Sequence, residues 1–549
     1  MGVSNRETRV ARAYHDRTAH SPASVRTSTH ALDWDVKPFP FKVYTDLSPL
    51  TLPREVDPLA IATLDALGPA TAREPARLAL GDLATLLYYS AGVTKKKTYA
   101  GGGEVLFRAA PSTGALYQTE VYVAAGRVEG LEPGLYHFCP GDFALRRLRA
   151  GDVRPSLAHA VADETVARRA ATVILSAIYW RNTWKYQARG YRHLFWDSGT
   201  MLAHLLAVRG ALGQVARLYT GFVDADVNRV LGVDAKREAA LELVTLGPEG
   251  APAPSLAAVE DLSHPYVPLS SSEVDYPLLR EIHVASMLDT PDDVRVWREA
   301  GAGGVGHPPR PVSQRVDPTT AQGEEPSRVS ASVVEEGAPR PLVELPAPRA
   351  ASGWSLGETI QRRGSTRQFD HAALSAPELA TALWAATRAT DADMPAGLVA
   401  LYLIVNAVEG VASGAYCYHP GAHALELLKA GRYRSESAYL CLEQPLGGDA
   451  AAVIYFLAPF ARILGALGNR GYRLANLAAG IAGGRAYLAA YAQGFGASGL
   501  TFYDGHVVEF FSPHAAGMDA IFVTALGRAA GSGRVTIGTT PTLPRRPSA

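Results

Sequence analysis

The chain has little cysteine and no excess of charge of either sign. Its 549 residues include three cysteines, Cys139, Cys417 and Cys441. These are too few for a disulfide framework and lack the spacing of a metal site, so we expect a reducing, cytoplasmic compartment and no metal. Lys and Arg together number 53, and so do Asp and Glu. Balanced charge provides no field to hold the chain on nucleic acid or on an anionic membrane, which favours a small or neutral substrate.

Long apolar runs are also scarce. The opening residues, MGVSNRETRVARAYHDRTAHS, are charged and lack the apolar core of a secretory signal. The most apolar late stretch, residues 474–500, is interrupted by Arg485, which favours a buried helix over a membrane span. With 47% hydrophobic and 19% charged residues, the composition is that of a soluble globular protein, and the length predicts two or more domains.

Two long segments of the chain repeat one another. The sequence VYVAAGRVEGLEPGLYHFCPGDFALRRLRAG, ending at Gly151, recurs as LYLIVNAVEGVASGAYCYHPGAHALELLKAG, ending at Gly431, which is 280 residues later. Such a repeat predicts two copies of one domain. An earlier match, LGDLATLL to APELATAL, is 296 residues apart, so the first copy carries sixteen extra residues. The loop that contains Lys95 and three consecutive glycines is the simplest place for them.

Composition marks the boundaries between the copies. Residues 301–350 are dense in Pro, Gly, Ser and Glu, as a solvated linker is. Each copy has helical and strand patterns typical of an α+β fold with helices around a mixed or antiparallel sheet. The predicted order is an N-terminal arm, a first copy, an accessory segment, the linker, a second copy and a disordered tail, at residues 1–75, 76–260, 261–300, 301–350, 351–530 and 531–549.

A phosphate-binding pattern opens the second copy. The string IQRRGSTRQFD, residues 360–370, places Arg363, Ser365 and Arg367 at alternate positions. Guanidinium groups and a hydroxyl suit a dianionic phosphate, whereas the same string standing alone would be a solvated basic helix end. In its place just before a helix, it resembles the opening motif of nitroreductases, whose Arg-x-Ser-x-Arg pattern holds the phosphate and ribityl chain of FMN.

A second motif lies in the first copy. The string RAAPSTGALYQTEVYV, residues 108–123, contains the run Pro111, Ser112, Thr113 and Gly114. Small residues and a proline let backbone amides approach a flavin closely, although such a run is also an ordinary turn before a strand. The string resembles the PSAGALYPLEVY signature of the SagB/ThcOx-type azoline dehydrogenases, a branch of the nitroreductase superfamily.

The third motif, RNTWKYQARGYR, spans residues 181–192 and contains Lys185 and Tyr186. It resembles the segment of the same branch whose Lys-Tyr pair is associated with proton removal from the substrate ring. A lysine in an apolar pocket can have its pKa lowered enough to act as a base. Without the other motifs, the pair would be an exposed helix residue beside a packed aromatic. The resemblance covers nearly the whole chain, and the second copy departs further from it.

The resemblance implies how the copies cooperate. Nitroreductases are obligate dimers with flavin at the interface, so it implies two tandem nitroreductase-like domains in an intramolecular pseudo-dimer. Each copy lacks what the other keeps. The first-copy counterparts of the Arg/Ser motif are Leu67, Pro69 and Thr71, and the second-copy counterparts of the Pro-Ser and Lys-Tyr motifs are Asp391, Ala392, Asp393, Met394, Ala466 and Leu467. We therefore predict one composite FMN site per chain.

The expected function follows from the resemblance. An FMN-dependent dehydrogenase of this type converts thiazoline or oxazoline rings of a peptide or peptide-like natural product to azoles, with a cyclodehydratase or other biosynthetic partner. Gly499 near the flavin ring and Arg528 at the phosphate complete the predicted cofactor contacts. Two alternatives stay open: an NAD(P)H-dependent nitro- or quinone reductase, and a non-catalytic, degenerate flavoprotein that scaffolds a biosynthetic complex.

Overall fold

Two seven-stranded sheets carry the two halves of the chain in a computed structural model that describes residues 5–68, 77–98, 104–251, 259–303 and 340–531. The helices up to residue 303 are α1 (Arg9–Arg17), α2 (Pro22–Arg26), α3 (Thr63–Ala66), α4 (Leu80–Ala91), α5 (Arg154–Val161), α6 (Thr165–Arg168), α7 (Tyr179–Tyr186), α8 (Gly190–Ala211), α9 (Asp224–Leu231), α10 (Pro277–Ala285) and α11 (Pro291–Ala302). The strands there are β1 (Pro49–Thr51), β2 (Val93–Thr98), β3 (Glu104–Arg108), β4 (Thr119–Ala125), β5 (Gly134–Cys139), β6 (Ala144–Ala150), β7 (Ala171–Ile178), β8 (Ala216–Tyr219) and β9 (Glu238–Leu246).

The second half repeats this arrangement. Its helices are α12 (Leu356–Arg362), α13 (Ala376–Ala386), α14 (Arg434–Leu440), α15 (Pro445–Asp449), α16 (Phe460–Leu467), α17 (Arg470–Ala492) and α18 (Asp504–Phe511). Its strands are β10 (Leu342–Glu344), β11 (Leu374–Ser375), β12 (Ala400–Val405), β13 (Val408–Glu409), β14 (Gly414–His419), β15 (Ala424–Ala430), β16 (Ala452–Ala458), β17 (Gly496–Gly499) and β18 (Asp519–Gly527).

The two large sheets have the same strand order. The first runs β1-β6-β5-β4-β7-β9-β8 and the second β10-β15-β14-β12-β16-β18-β17. Neighbouring strands in both are antiparallel. The central strands β4, β7, β12 and β16 are buried along their length and mostly apolar, as strands covered on both faces are. The predicted fold of two tandem α+β domains is confirmed.

Helices α8 and α17 form the centre of the contact between the halves. A Cβ atom on Gly199 of α8 would lie 2.7 Å from the backbone nitrogen of Ile481, and one on Gly480 of α17 would lie 2.6 Å from the carbonyl oxygen of Trp196. Glycine is therefore needed on both helices for their backbones to approach this closely. Helix α17 is the buried helix predicted within residues 474–500. Across the described ranges, no helix combines the length with the apolar character that a membrane span requires.

The halves also exchange reciprocal ion pairs. Arg192 of α8 binds Asp504 of α18 at 2.5 Å, and Arg473 of α17 binds Asp224 of α9 at 2.7 Å. All four side chains are buried. The same contact made in both directions is the isologous pattern of a twofold dimer, here within one chain. Each carboxylate also binds a second guanidinium: Arg189 binds Asp504, and Arg470 binds Asp224.

Two segments differ from the predicted boundaries. Strand β1, inside the predicted N-terminal arm, pairs with β6, and strand β10, inside the predicted linker, pairs with β15. Both therefore belong to the large sheets. Each is three residues long, which is below the length at which an alternating pattern shows in a sequence. The remaining linker residues, 304–339, and the predicted tail from 532 onward lie outside the described residues.

The arm and the accessory segment both pack on the interface. The ring of Tyr14, in α1, makes edge contacts with Tyr191 and Tyr472, at centroid distances of 5.7 and 5.5 Å. These two tyrosines are equivalent residues of α8 and α17. The accessory segment contributes α10 and α11, and its residue Ser286 accepts a hydrogen bond from Arg473. Both additions therefore hold the two domains together.

Candidate active site

Arg363 joins the phosphate motif of the second domain to the first domain. It ends helix α12, which begins with a capping box in which Ser355 accepts a hydrogen bond from the amide of Glu358. Its Nε–H donates to the carbonyl oxygen of Ala109 at 2.8 Å, and its Nη2 donates to that of Arg108 at 3.0 Å. These two residues lie three and two positions before Pro111, the first residue of the Pro-Ser motif. The structure therefore brings the two motifs together across the interface.

The Pro-Ser loop is held by one buried carboxylate, Asp197 of α8. This group accepts hydrogen bonds from the Ser112 hydroxyl at 2.6 Å, from the Thr113 amide and hydroxyl, each at 2.8 Å, and from the Gln118 amide group at 2.7 Å. The Thr200 hydroxyl donates to the carbonyl oxygen of Pro111 at 2.8 Å. These bonds engage both hydroxyls of the loop and part of its backbone, so Asp197 and Thr200 fix the conformation of the loop.

Asp197 was not found from the sequence. Burial raises its pKa to about 6, against the opposing effect of its hydrogen-bond donors. The available signal was that Asp197 is the single acidic residue of an otherwise apolar and basic helix, α8. A lone buried carboxylate requires several donors, which the Pro-Ser loop supplies.

Gly114 brings the loop to the Lys-Tyr pair. It has a φ of +64°, and a Cβ atom there would lie 2.9 Å from the hydroxyl oxygen of Tyr186. Glycine is favoured on both counts, since it adopts the left-handed conformation and leaves room for the tyrosine. The ring of Tyr186 makes an edge contact with that of His193 at 4.5 Å. Burial raises the pKa of Tyr186, and the nearby Asp197 raises it further.

Lys185 is half-buried at the end of α7. Its Nζ lies 5.3 Å from the centroid of the Tyr186 ring. Burial lowers the pKa of Lys185, and the positive charges of Arg367 and Lys37 lower it further. Arg367, which is exposed and comes from the other domain, is therefore close enough for its charge to act on Lys185. The direction of the Lys185 shift is the one that a catalytic base needs.

Tyr487 of α17 connects two of the remaining predicted residues. Its hydroxyl oxygen lies 3.5 Å from that of Ser365, and it accepts a hydrogen bond from the backbone amide of Gly499. The structure thus places Gly499 near the phosphate motif, with its amide engaged by a hydroxyl. Arg528 is placed differently. It binds both carboxylate oxygens of Glu378, at 2.9 and 2.8 Å, so its guanidinium is already neutralised by a buried partner.

Positive charge without carboxylate partners accumulates where the domains meet. Four cations take part in none of the ion pairs within 4.0 Å in the described part of the chain. They are Arg363, Arg367, Lys185 and Lys95 of strand β2. Arg363 is 5% exposed, and burial lowers its pKa. A buried cation without a counterion is costly, and a dianionic phosphate would compensate it. These residues therefore fit the phosphate of FMN.

The equivalent place on the opposite side of the interface is closed by protein. Leu218 of β8 forms a parallel bridge with Ala392, and the amide of Thr220 donates to Asp393 at 2.7 Å. A Cβ atom on Gly221 would lie 2.5 Å from the ring of Trp297, in α11, so the indole occupies the space beside this glycine. The indole also donates to the carbonyl oxygen at position 467. Of the first-domain counterparts of the phosphate motif, Leu67 is buried, while positions 69 and 71 lie outside the described residues.

Comparisons with known proteins agree with this geometry. Residues 360–516 match the Nitroreductase family model. A protein assigned to the nitroreductases in Methanocaldococcus jannaschii, MJ1384, is 28% identical over 157 residues, which are 28% of this chain and 75% of that protein. The microcin B17-processing protein McbC of Escherichia coli is 26% identical over 138 residues, which are 24% of this chain and 50% of McbC.

One solved structure matches both halves at once. It is assigned as a nitroreductase from Anabaena variabilis, and it is 25% identical with a TM-score of 0.72, covering 95% of this chain and 99% of that one. The family match lies in the second half, and this structural match extends the likeness to the first. Residues 360–516 therefore match a Nitroreductase-family domain, and both domains of the pseudo-dimer share the fold of that solved structure.

Proposed function

We propose that the chain is an FMN-dependent oxidase that converts thiazoline- or oxazoline-type rings of a peptide or peptide-like natural product to azoles, at one composite site. The observation that carries this proposal is the meeting of three motifs from two domains. Arg363 binds the backbone before the Pro-Ser loop, and Gly114 of that loop contacts Tyr186. Lys185 lies beside Tyr186, and the positive charge of Arg367 acts on it.

Phosphate binding is assigned to the second domain. We assign the FMN phosphate to Arg363, Ser365 and Arg367, and the flavin ring to the loop of Pro111, Ser112, Thr113 and Gly114. When bound, FMN supplies a two-electron acceptor for hydride from the substrate, with dioxygen taking up both electrons to give hydrogen peroxide. The protein's own part is to hold the cofactor and to manage the substrate proton.

Lys185 is the proposed base. The lowered pKa of Lys185 increases the fraction of neutral amine near neutral pH, so Nζ can accept the proton of a ring carbon as that ring loses hydride. Tyr186, whose pKa is raised, keeps its hydroxyl proton and is suited to orient the ring or to relay the proton. Removal of one proton and one hydride accounts for the two hydrogens that separate an azoline from an azole.

The likeness to McbC supports a peptide substrate. McbC is described as processing microcin B17, and the matched segment spans half of its length. A cyclodehydratase is the partner chemistry that would supply an azoline ring. A single site is supported by the closure of the equivalent place, where Asp393 binds the Thr220 amide and Trp297 fills the space beside Gly221.

The test is the mass of an azoline-containing peptide after incubation with the FMN-loaded protein in air. We expect each oxidised ring to lose about 2 Da, and we expect the loss to disappear in Lys185→Ala with FMN still bound. Full product formation by Lys185→Ala would overturn the assignment of the base. No product from any azoline peptide would remove the proposed reaction.

A reductase on the same fold is the second candidate, because MJ1384 is assigned to the nitroreductases. In that reaction hydride enters from NAD(P)H, and the Lys-Tyr pair is not required. Stopped-flow mixing with NADPH distinguishes the two. Rapid bleaching of the bound flavin favours the reductase, whereas bleaching only by an azoline peptide favours the oxidase. Protein that retains no flavin after purification and reconstitution would instead favour the non-catalytic scaffold.

A further inference from the structure

A β-hairpin of the first domain reaches the phosphate motif of the second. The hairpin consists of β2 (Val93–Thr98) and β3 (Glu104–Arg108), which pair in antiparallel register. From β2, the Nζ of Lys95 donates to the carbonyl oxygen of Arg362 at 2.9 Å and also to that of Arg363. A Cβ atom on Gly364 would lie 3.9 Å from the same Nζ. The ammonium of Lys95 thus lies against the first residues of the Arg-x-Ser-x-Arg motif.

The charge of Lys95 is not balanced by protein. Its neighbour Lys96 is exposed and forms an ion pair with Glu104. Lys95 is half-buried and belongs to none of the ion pairs found among the described residues. Burial lowers the pKa of Lys95 to about 7, and the nearby guanidinium of Arg363 contributes to the shift.

Helix capping explains part of this arrangement but not all of it. An ammonium at the C-terminal carbonyls of α12 is favourable, and two of the three N–H donors of Lys95 serve that purpose. Capping alone does not require a second cation beside Arg363 in a partly buried place. Two adjacent cations without a carboxylate form a place that an anion would stabilise.

We propose that Lys95 is a cofactor-binding residue that contributes a charge-assisted hydrogen bond to the phosphate of FMN. This inference rests on the proposed function, and it gives the hairpin of the first domain a part in a phosphate site otherwise formed by the second. The hairpin lies between α4 and β4, whereas residues 387–399, between the matching α13 and β12, are described and form no hairpin, so the second copy has no counterpart of Lys95. The phosphate group would then be held by both domains.

The experiment compares FMN with riboflavin, which has the same ring system and no phosphate. Affinities are measured by flavin fluorescence quenching for the wild-type apoprotein, Lys95→Ala, Lys95→Arg and the control Lys96→Ala. We expect Lys95→Ala to weaken FMN binding by about tenfold or more, as loss of a charge-assisted hydrogen bond does, while riboflavin binding stays unchanged. Lys95→Arg should keep most of the preference for FMN, and Lys96→Ala should keep all of it.

Two results would overturn the inference. Equal weakening of FMN and riboflavin would show that Lys95 only caps α12 and supports the fold. Wild-type affinity for both flavins in Lys95→Ala would show that the ammonium does not contact the phosphate, and it would leave the proposed function standing. Failure of the wild-type protein to bind either flavin would remove the proposed function itself, and this inference with it.

Discussion

The guanidinium of Arg363, in the second domain, donates a hydrogen bond of 2.8 Å to the carbonyl oxygen of Ala109, in the first. This contact links the motif assigned to phosphate with the loop assigned to the flavin ring. Neither domain holds both motifs. The candidate site therefore exists only because the two domains pack as a pseudo-dimer, and the predictions below test each part of it.

The first prediction concerns cofactor retention. Arg363→Ala combined with Ser365→Ala removes the buried cation and the hydroxyl proposed to hold the phosphate. We therefore expect the affinity for FMN to fall by about a hundredfold or more. Arg362→Ala is the matched control, since Arg362 is exposed and stacks on Trp354 at 3.7 Å. Equilibrium dialysis measures both. Undiminished FMN affinity in the double variant would contradict the phosphate assignment.

The second prediction concerns the proton step. We expect Lys185→Ala to lower kcat by about 10²- to 10⁴-fold while the flavin spectrum is retained, because general-base catalysis contributes that much. Since the pKa of Lys185 is lowered, kcat/KM of the wild type should rise with pH and level off below the range of an ordinary lysine. The exposed Lys236 provides the control, Lys236→Ala. A variant that keeps the wild-type pH profile would exclude Lys185 as the base.

The third prediction concerns the pH dependence of stability through Asp197. Its folded-state pKa of about 6 is above the ordinary value of 3.8, so its contribution to stability is fully present below the ordinary value and is lost as pH rises through about 6. The free energy of unfolding of the wild type, relative to Asp197→Asn, should fall by about 3 kcal/mol over that window. Urea unfolding at several pH values measures it. If the difference in free energy of unfolding between the wild type and Asp197→Asn did not change with pH, the pKa of Asp197 would not be raised by folding.

The fourth prediction concerns the interface. Asp504→Asn leaves the buried guanidinium groups of Arg189 and Arg192 without their carboxylate, which should cost about 3–5 kcal/mol. The control Asp292→Asn breaks a pair with Arg295 on the surface, and exposed pairs contribute about 0–1 kcal/mol. Denaturant titration compares the two variants. Similar small losses in both would mean that the reciprocal pairs do not stabilise the pseudo-dimer.

The sequence predicted the parts of the site that motifs carry. Arg363, the Pro-Ser loop and the Lys-Tyr pair were found as strings, and the structure brings them together. Asp197, Lys95 and Tyr487 were missed because their roles arise from contacts between residues far apart in the chain. No local pattern encodes such contacts. Strands β1 and β10 were missed because three residues are too few to show a period.

Comparison of the two copies held more information than either motif alone. The pattern Arg-x-x-Arg in RGYR occurs at 189–192 and again at 470–473, and both copies use it for the reciprocal ion pairs of the interface. In the sequence, residues 189–192 had been interpreted as part of the same motif as Lys185 and Tyr186. Lys185, by contrast, is replaced by Ala466 in the second copy. In these two motifs, the arginines kept in both copies serve the pseudo-dimer, and Lys185, kept in one copy, is a candidate for the single site.

Flavin stoichiometry tests the central claim most directly. The protein is saturated with FMN, freed of excess cofactor and denatured, and the released flavin is measured against the protein concentration from amino-acid analysis. A composite site formed by Arg363 of one domain and the Pro-Ser loop of the other, with the equivalent place closed by Trp297, predicts one FMN per chain. A ratio of two would contradict the closure of the second place, and a ratio of zero would contradict the composite site.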